Sequence, residues 1–222
     1  MKVLFVHGAC VTDGAWWWRR MVPLLAAQGV SSAAVELPSC DGDGDLHADG
    51  DAVRAQVASA DEPCVLVGHS YGGMVITDAG SSAARLVYLT AVVPDAGESL
   101  GSLAAPAPFL DPGPDGRVGV QGSALPSLFM QDCTSSDISG ALARLTRQSL
   151  AAFGQAPRSV AWRTVPSTYV VCSDDRATPP SRQRSYAARL GNVVEISTGH
   201  HPFLSAPDLL SSTLLEIVRP AE

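Results

Sequence analysis

Pro63-Cys64-Val65-Leu66-Val67-Gly68-His69-Ser70-Tyr71-Gly72-Gly73-Met74-Val75-Ile76 reads as a short buried strand, a sharp turn and a helix. Cys64 to Val67 is a continuous apolar run, which suits a parallel strand covered on both faces. Gly68, Gly72 and Gly73 supply the small residues of a tight strand-to-helix turn. That turn carries Ser70 at its tip, with the hydroxyl at the C-terminal end of the strand. A second G-x-S-x-G match, Gly97-Glu98-Ser99-Leu100-Gly101, serves as a control. It follows Pro94-Asp95, has proline soon after it, and has neither a strand leading in nor a convincing helix leading out. Ser99 therefore reads as a loop serine, and Ser70 as the one with a context for chemistry.

Working outward, strands and helices alternate. Strands are expected at Lys2 to Val6, Ser32 to Glu36, Cys64 to Val67 and Arg85 to Ala91, with helices at about 15–28, 48–60 and 71–83. Right-handed crossovers then build a mostly parallel sheet. The rhythm breaks at Pro94. From 95 to 166 the chain is rich in Pro, Gly and Ser, with a single helix-like stretch at 139–153, and reads as a cap inserted into one domain spanning 1–222. Its apolar residues serve to pack the cap and to line a substrate cavity. Strands resume at Ser167 to Cys172 and Asn192 to Ile196, followed by a last helix at about 207–218.

Bulk properties bound the function. With 222 residues, 46% hydrophobic and 17% charged, the chain can bury a substantial core. A net charge of −7 without a Lys/Arg run argues against nucleic acid as a partner. No stretch reaches membrane-spanning length, and Met1 to Val6 lacks the features of a signal peptide, so a cytoplasmic location is expected. The five cysteines are scattered without C-x-x-C spacing, which suggests buried thiols rather than disulfides or zinc. No cofactor or metal is expected: Asp41-Gly42-Asp43-Gly44-Asp45 fails the EF-hand pattern, with Leu46 at the sixth position and Ala52 at the twelfth, and reads as a solvated acidic loop. In Trp16-Trp17-Trp18, consecutive helical positions cannot share a face, so one or two belong in the core and one nearer solvent.

A serine hydroxyl needs a base within hydrogen-bond reach, and the base needs an orienting partner. Strand C-termini of a parallel sheet share one rim. That rim collects Ser70, the pair Asp174 and Asp175, and the pair His200 and His201, in the chain order Ser, Asp, His.

On these residues the chain resembles the α/β-hydrolase superfamily, most of all the esterase/hydroxynitrile-lyase branch that includes plant methylesterases. The resemblance is carried by Val6-His7-Gly8-Ala9-Cys10, Gly14-Ala15-Trp16, Gly68 to Gly73, Leu86 to Ala91, Val170 to Arg176 and Thr198-Gly199-His200. It implies six parallel strands in the order 2-1-3-4-5-6, flanked by helices, with the cap after strand four. It also implies Ser70 as nucleophile, Asp175 rather than Asp174 as acid, and His200 rather than His201 as base. His69 and His7 are then structural residues of their turns, and the backbone N–H groups of Ala9 and Tyr71 form an oxyanion hole, the second at a helix N-terminus. Gly8, Cys10, Phe129 and Trp162 are candidates for the substrate pocket. The lyases of the branch carry Thr where this chain has Gly8 and Lys where it has His201, so hydrolysis of a small, largely apolar carboxylic ester, thioester or lactone is the better expectation. The competing readings are a lyase or cyclase of secondary metabolism and a ligand-binding receptor with vestigial turnover. The protein is expected to act as a monomer or homodimer on a small-molecule ester.

Overall fold

A computed structural model of the chain describes residues 1–104 and 107–219; positions 105–106 of the expected insertion lie outside the described residues. The main sheet is parallel and six-stranded among the described residues: β1 (Lys2–Val6), β2 (Ser31–Val35), β3 (Cys64–His69), β4 (Arg85–Leu89), β8 (Ser167–Cys172) and β9 (Asn192–Ile196), in the order β2-β1-β3-β4-β8-β9. This is the expected strand order. The register pairs Val6 with Gly68, His69 with Leu89, Leu89 with Val170 and Cys172 with Ile196, so the strand ends form one rim.

The apolar runs of β1, β3 and β4 follow from two-sided burial, because successive side chains point to opposite faces. Leu4, Val6, Leu66 and Tyr88 pack with Val53, Met74 and Tyr186, from α3 (Leu46–Ala58), α4 (Gly72–Ala79) and α8 (Pro180–Ala187). Val3, Phe5, Val65, Val67 and Leu89 pack on the other face with Trp18, Met21 and Leu214, the last two from α2 (Met21–Ala27) and α10 (Pro207–Val218). The tryptophan run divides as its spacing requires. Trp17 and Trp18 are buried, and Trp18 stacks on Phe5 at 4.2 Å, while Trp16 is half-buried between the guanidinium groups of Arg19 and Arg144. The single helix expected at 15–28 is two pieces, α1 (Gly14–Trp17) and α2, because the chain turns at Trp18 to seat that ring in the core. Asp45, in the acidic loop, caps α3 by accepting from the Ala48 N–H at 2.9 Å.

Between β4 and β8 the expectation of one helix at 139–153 fails. The segment instead contains α5 (Leu100–Leu103), an antiparallel sheet of β5 (Leu110–Pro112), β6 (Arg117–Val120) and β7 (Gln148–Ser149), α6 (Ser135–Leu142) and α7 (Ala151–Gly154). Helix propensity yields at Gln148, which pairs with Val118 of β6 and bridges to Cys40 of the body. Ser99 is the N-cap of one-turn α5, with a reciprocal Ser99–Ser102 capping box, so a short helix does follow it. Two buried carboxylates clamp the segment to the body. Asp78 of α4 accepts from Arg54 at 3.0 Å and from Arg158 at 2.9 Å, and Asp137 of α6 accepts from Arg19 at 2.6 Å and Arg20 at 2.9 Å. No helix among the described residues is long and apolar enough to cross a membrane.

Candidate active site

Ser70 follows β3 directly and precedes α4, whose N-terminal flanking residue is Tyr71. Its φ is +55°, a left-handed conformation that a non-glycine residue adopts under strain. The turn is held on both sides: the Ser70 N–H donates to the Leu89 carbonyl at 3.3 Å, and its carbonyl accepts from the Val92 N–H at 3.2 Å. The glycines are required by close approach. A Cβ on Gly72 would collide with the Val6 carbonyl, and one on Gly73 with the Val92 carbonyl. A Cβ on Gly8 would lie 3.2 Å from both the Ser70 Cβ and the His69 Nδ1, so the bare Gly8 lets the loop after β1 rest a few tenths of an ångström closer to the turn than a side chain would allow.

Asp175, past the end of β8, is 3% exposed, whereas Asp174 is turned to solvent. One Asp175 oxygen accepts from the Ala177 and Thr178 N–H groups at 2.8 and 2.9 Å. The other accepts from His200 Nδ1 at 2.7 Å, from Gln183 Nε2 at 3.2 Å and from the Thr90 hydroxyl. Burial pushes this carboxyl up, but the facing His200 charge and these hydrogen bonds outweigh burial and hold it below the usual carboxylate range. With Nδ1 bound to Asp175, the free ring nitrogen of His200 is Nε2, the geometry of an oriented base.

The rim holds four histidines, His7, His69, His200 and His201, and their partners separate them. His69 Nε2 lies 2.9 Å from the His200 carbonyl, and His201 Nδ1 lies 2.9 Å from the Phe129 carbonyl, so both rings serve as backbone clasps. Burial lowers the His69 and His7 pKa values and drives His201 to about 3, which keeps these rings neutral. His200 is the one of the four whose ring is hydrogen-bonded to a carboxylate, whereas His7 Nε2 only approaches Glu36, at 3.9 Å.

Ser70, His200, Gly8, Ala9, Tyr71 and Phe129 all line one cavity of about 640 Å³. Among its described lining residues none is acidic, and Arg182 is the guanidinium at its edge. Two pocket candidates fall elsewhere. Cys10 takes φ +59°, which turns its side chain out of the cavity and under β6; the thiol donates to the Val118 carbonyl at 3.4 Å, and burial pushes it up to about 12. Trp162 packs against the core, with its indole N–H on the Pro94 carbonyl at 2.8 Å. Thr90 and Gln183 are the functional neighbours that sequence reasoning missed. The available signal was position: Thr90 is the first polar residue after the apolar strand Leu86 to Leu89, on the rim.

The family profile described as "Alpha/beta hydrolase family" matches residues 3–213. The chain belongs to the alpha/beta hydrolase family.

Among curated relatives of this hydrolase-family chain, polyneuridine aldehyde esterase from Rauvolfia serpentina is 28% identical, covering 96% of this chain and 94% of its own. An alpha/beta hydrolase, nvfD, from Aspergillus novofumigatus is 29% identical over 73% of this chain and 74% of its own. Among solved structures, a pyrethroid hydrolase from Sphingobium faniae JZ-2 superposes with a TM-score of 0.85 at 26% identity, covering 98% of this chain and 96% of that one.

Proposed function

We propose that this alpha/beta hydrolase is a serine esterase acting on small, largely apolar carboxylic esters, with thioesters and lactones within the same chemistry. Ser70 is the nucleophile, His200 the base, Asp175 the group that orients it, and the Ala9 and Tyr71 N–H groups the oxyanion donors. The segment 95–166 is the cap that sets specificity within a single domain. The observation that carries this reading is the His200–Asp175 pair at 2.7 Å on the wall of the cavity that Ser70 enters from a strained turn. Relatives named as esterases and a pyrethroid hydrolase support the reaction class.

Acyl transfer in this reading runs in two halves. His200 Nε2 takes the Ser70 hydroxyl proton as Oγ bonds to the ester carbonyl carbon. The carbonyl oxygen becomes an anion, which the Ala9 and Tyr71 N–H groups stabilise. The His200 proton passes to the leaving alkoxide, the alcohol departs, and an acyl-Ser70 ester remains. Water, deprotonated by His200, attacks that ester; the proton returns to Ser70 Oγ and the carboxylic acid leaves. Asp175 holds the ring in one tautomer throughout.

A panel of p-nitrophenyl esters of increasing acyl length, with wild type and Ser70→Ala, tests the proposal. Removing the nucleophile should cost about 10⁴- to 10⁶-fold in kcat and abolish labelling by a fluorophosphonate. Unchanged turnover in Ser70→Ala would overturn it, and tight binding of apolar ligands with no labelling of wild type would favour a receptor.

A further inference from the structure

The loop that carries Ala9 is held by a residue from the distant segment after β4. The Cys10 N–H donates to Gln148 Oε1 at 3.0 Å. Gln148 Nε2 donates to the Ser39 hydroxyl at 2.7 Å, and that hydroxyl donates to Asp49 at 2.6 Å. The same Asp49 oxygen accepts from the Tyr71 hydroxyl at 2.7 Å, and the other accepts from the Ser39 N–H at 2.8 Å. Every member is sealed from water: Cys10, Ser39, Asp49 and Gln148 are 0% exposed and Tyr71 is 1%. A buried chain of hydrogen bonds that satisfies all its members fixes geometry more firmly than isolated contacts do. One end is the neighbour of Ala9 and the other is the side chain of Tyr71, and Ala9 and Tyr71 both line the cavity.

We propose that Gln148 is a positioning residue for the oxyanion-binding loop, holding the Cys10 N–H so that the Ala9 peptide stays at the cavity wall in fixed relation to Tyr71. This rests on the acyl-transfer reading of Ser70. The left-handed Cys10 backbone explains why a clasp is needed: φ +59° is a costly conformation for a non-glycine residue and persists only where its surroundings enforce it. The backbone contacts of the same segment do not depend on the Gln148 side chain. Thr146 N–H donates to the Cys10 carbonyl at 2.9 Å, and Ser149 N–H to the Ser39 carbonyl at 3.0 Å. Removing the amide therefore leaves the segment docked, frees the Cys10 N–H and takes one donor from the Ser39 hydroxyl. A specificity segment thereby also sets the geometry of catalysis.

The test compares wild type with Gln148→Met, and with Ser39→Ala, which removes the hydroxyl joining Gln148 Nε2 to Asp49 but leaves the Cys10–Gln148 hydrogen bond. Two inhibitors separate the states: an alkyl trifluoromethyl ketone, which Ser70 converts to a hemiketal anion, and the matching alcohol, which carries no such charge. Gln148→Met should lower kcat about 10- to 100-fold, the scale of a small misplacement at a reacting centre, with KM within about twofold. Affinity for the ketone should fall by the same factor, and affinity for the alcohol should hold. Ser39→Ala should fall in the same direction by less. Tyr88→Phe, which removes the buried Tyr88–Thr77 hydrogen bond away from the loop, controls for stability and should lower Tm without this pattern. A kcat within twofold of wild type in Gln148→Met, or ketone and alcohol affinities falling together, would overturn the proposal while Ser70→Ala stays inactive. Full turnover in Ser70→Ala would instead defeat the acyl-transfer reading and this proposal with it.

Discussion

Two buried carboxylates approach the Ser70 turn through different partners, Asp175 through His200 and Asp49 through Tyr71. Asp175 is 3% exposed and Asp49 is 0% exposed, so water screens neither. Asp175 faces His200, and that charge together with its hydrogen bonds holds it below the usual carboxylate range. Asp49 has neutral hydrogen-bond partners, the Ser39 and Tyr71 hydroxyls and the Ser39 amide, with His7 the nearby imidazole; burial outweighs all of these and raises its carboxyl above that range. Equal burial therefore does not set the charge state; the partner does. In the proposed reaction Asp175 would stabilise the imidazolium that forms, while Asp49, bonded to the Tyr71 and Ser39 hydroxyls, would fix shape.

Asp175→Asn should break the difference most visibly. It keeps the shape but removes the charge that selects the His200 tautomer, and kcat should fall about 10⁴-fold with the fold intact by circular dichroism. Gly8→Thr comes next. Its Cβ would sit 3.2 Å from the Ser70 Cβ, pushing the loop from the turn, and steady-state kinetics should show about a 10²-fold loss in kcat/KM. Asp49→Asn should cost only about 10-fold in kcat, because it acts through other residues. Losses of equal size in Asp49→Asn and Asp175→Asn would erase the distinction between a charge that reacts and a charge that braces.

The same contrast marks what could be read along the chain. Ser70, Asp175 and His200, the residues proposed for the reaction, could be brought to one rim from the sequence because each lies within a few residues of the end of a strand of a parallel sheet, where local sequence and topology together fix position. The sheet order was legible for the same reason. The bracing residues were not. Gln148 sits in an Ala- and Leu-rich stretch that favours a helix, and only pairing with Val118 and Cys40 turns it into a strand. Thr90 reaches Asp175 from 85 residues away and Gln183 from the helix eight residues on, and neither residue type at either place announces that contact. Cys10 was misread because its side-chain direction depends on a left-handed φ that no residue type other than glycine announces.

The smallest effects appear in stability against pH, and their signs differ. His201 titrates at about 3 in the folded protein, against about 6.5 in an unfolded chain. Between those values the unfolded state binds the extra proton, so stability falls as pH drops through that window. His201→Gln keeps an amide to donate to the Phe129 carbonyl and should make that limb shallower by about one proton in urea midpoints measured from pH 7 to pH 3.

For the carboxylates the unfolded reference is about 3.9. Asp175, depressed when folded, contributes stability that is present above that value and lost as pH falls through its lower folded pKa. Asp49, raised when folded, does the reverse: folding is favoured most below the unfolded pKa, and that contribution fades as pH rises through the folded one. Subtracting the wild-type curve should thus leave Asp175→Asn changing below about pH 4 and Asp49→Asn changing above it. Should both difference curves bend on the acid side, Asp49 would have a cationic partner in solution, and the bracing carboxylate would be a second charged pair instead.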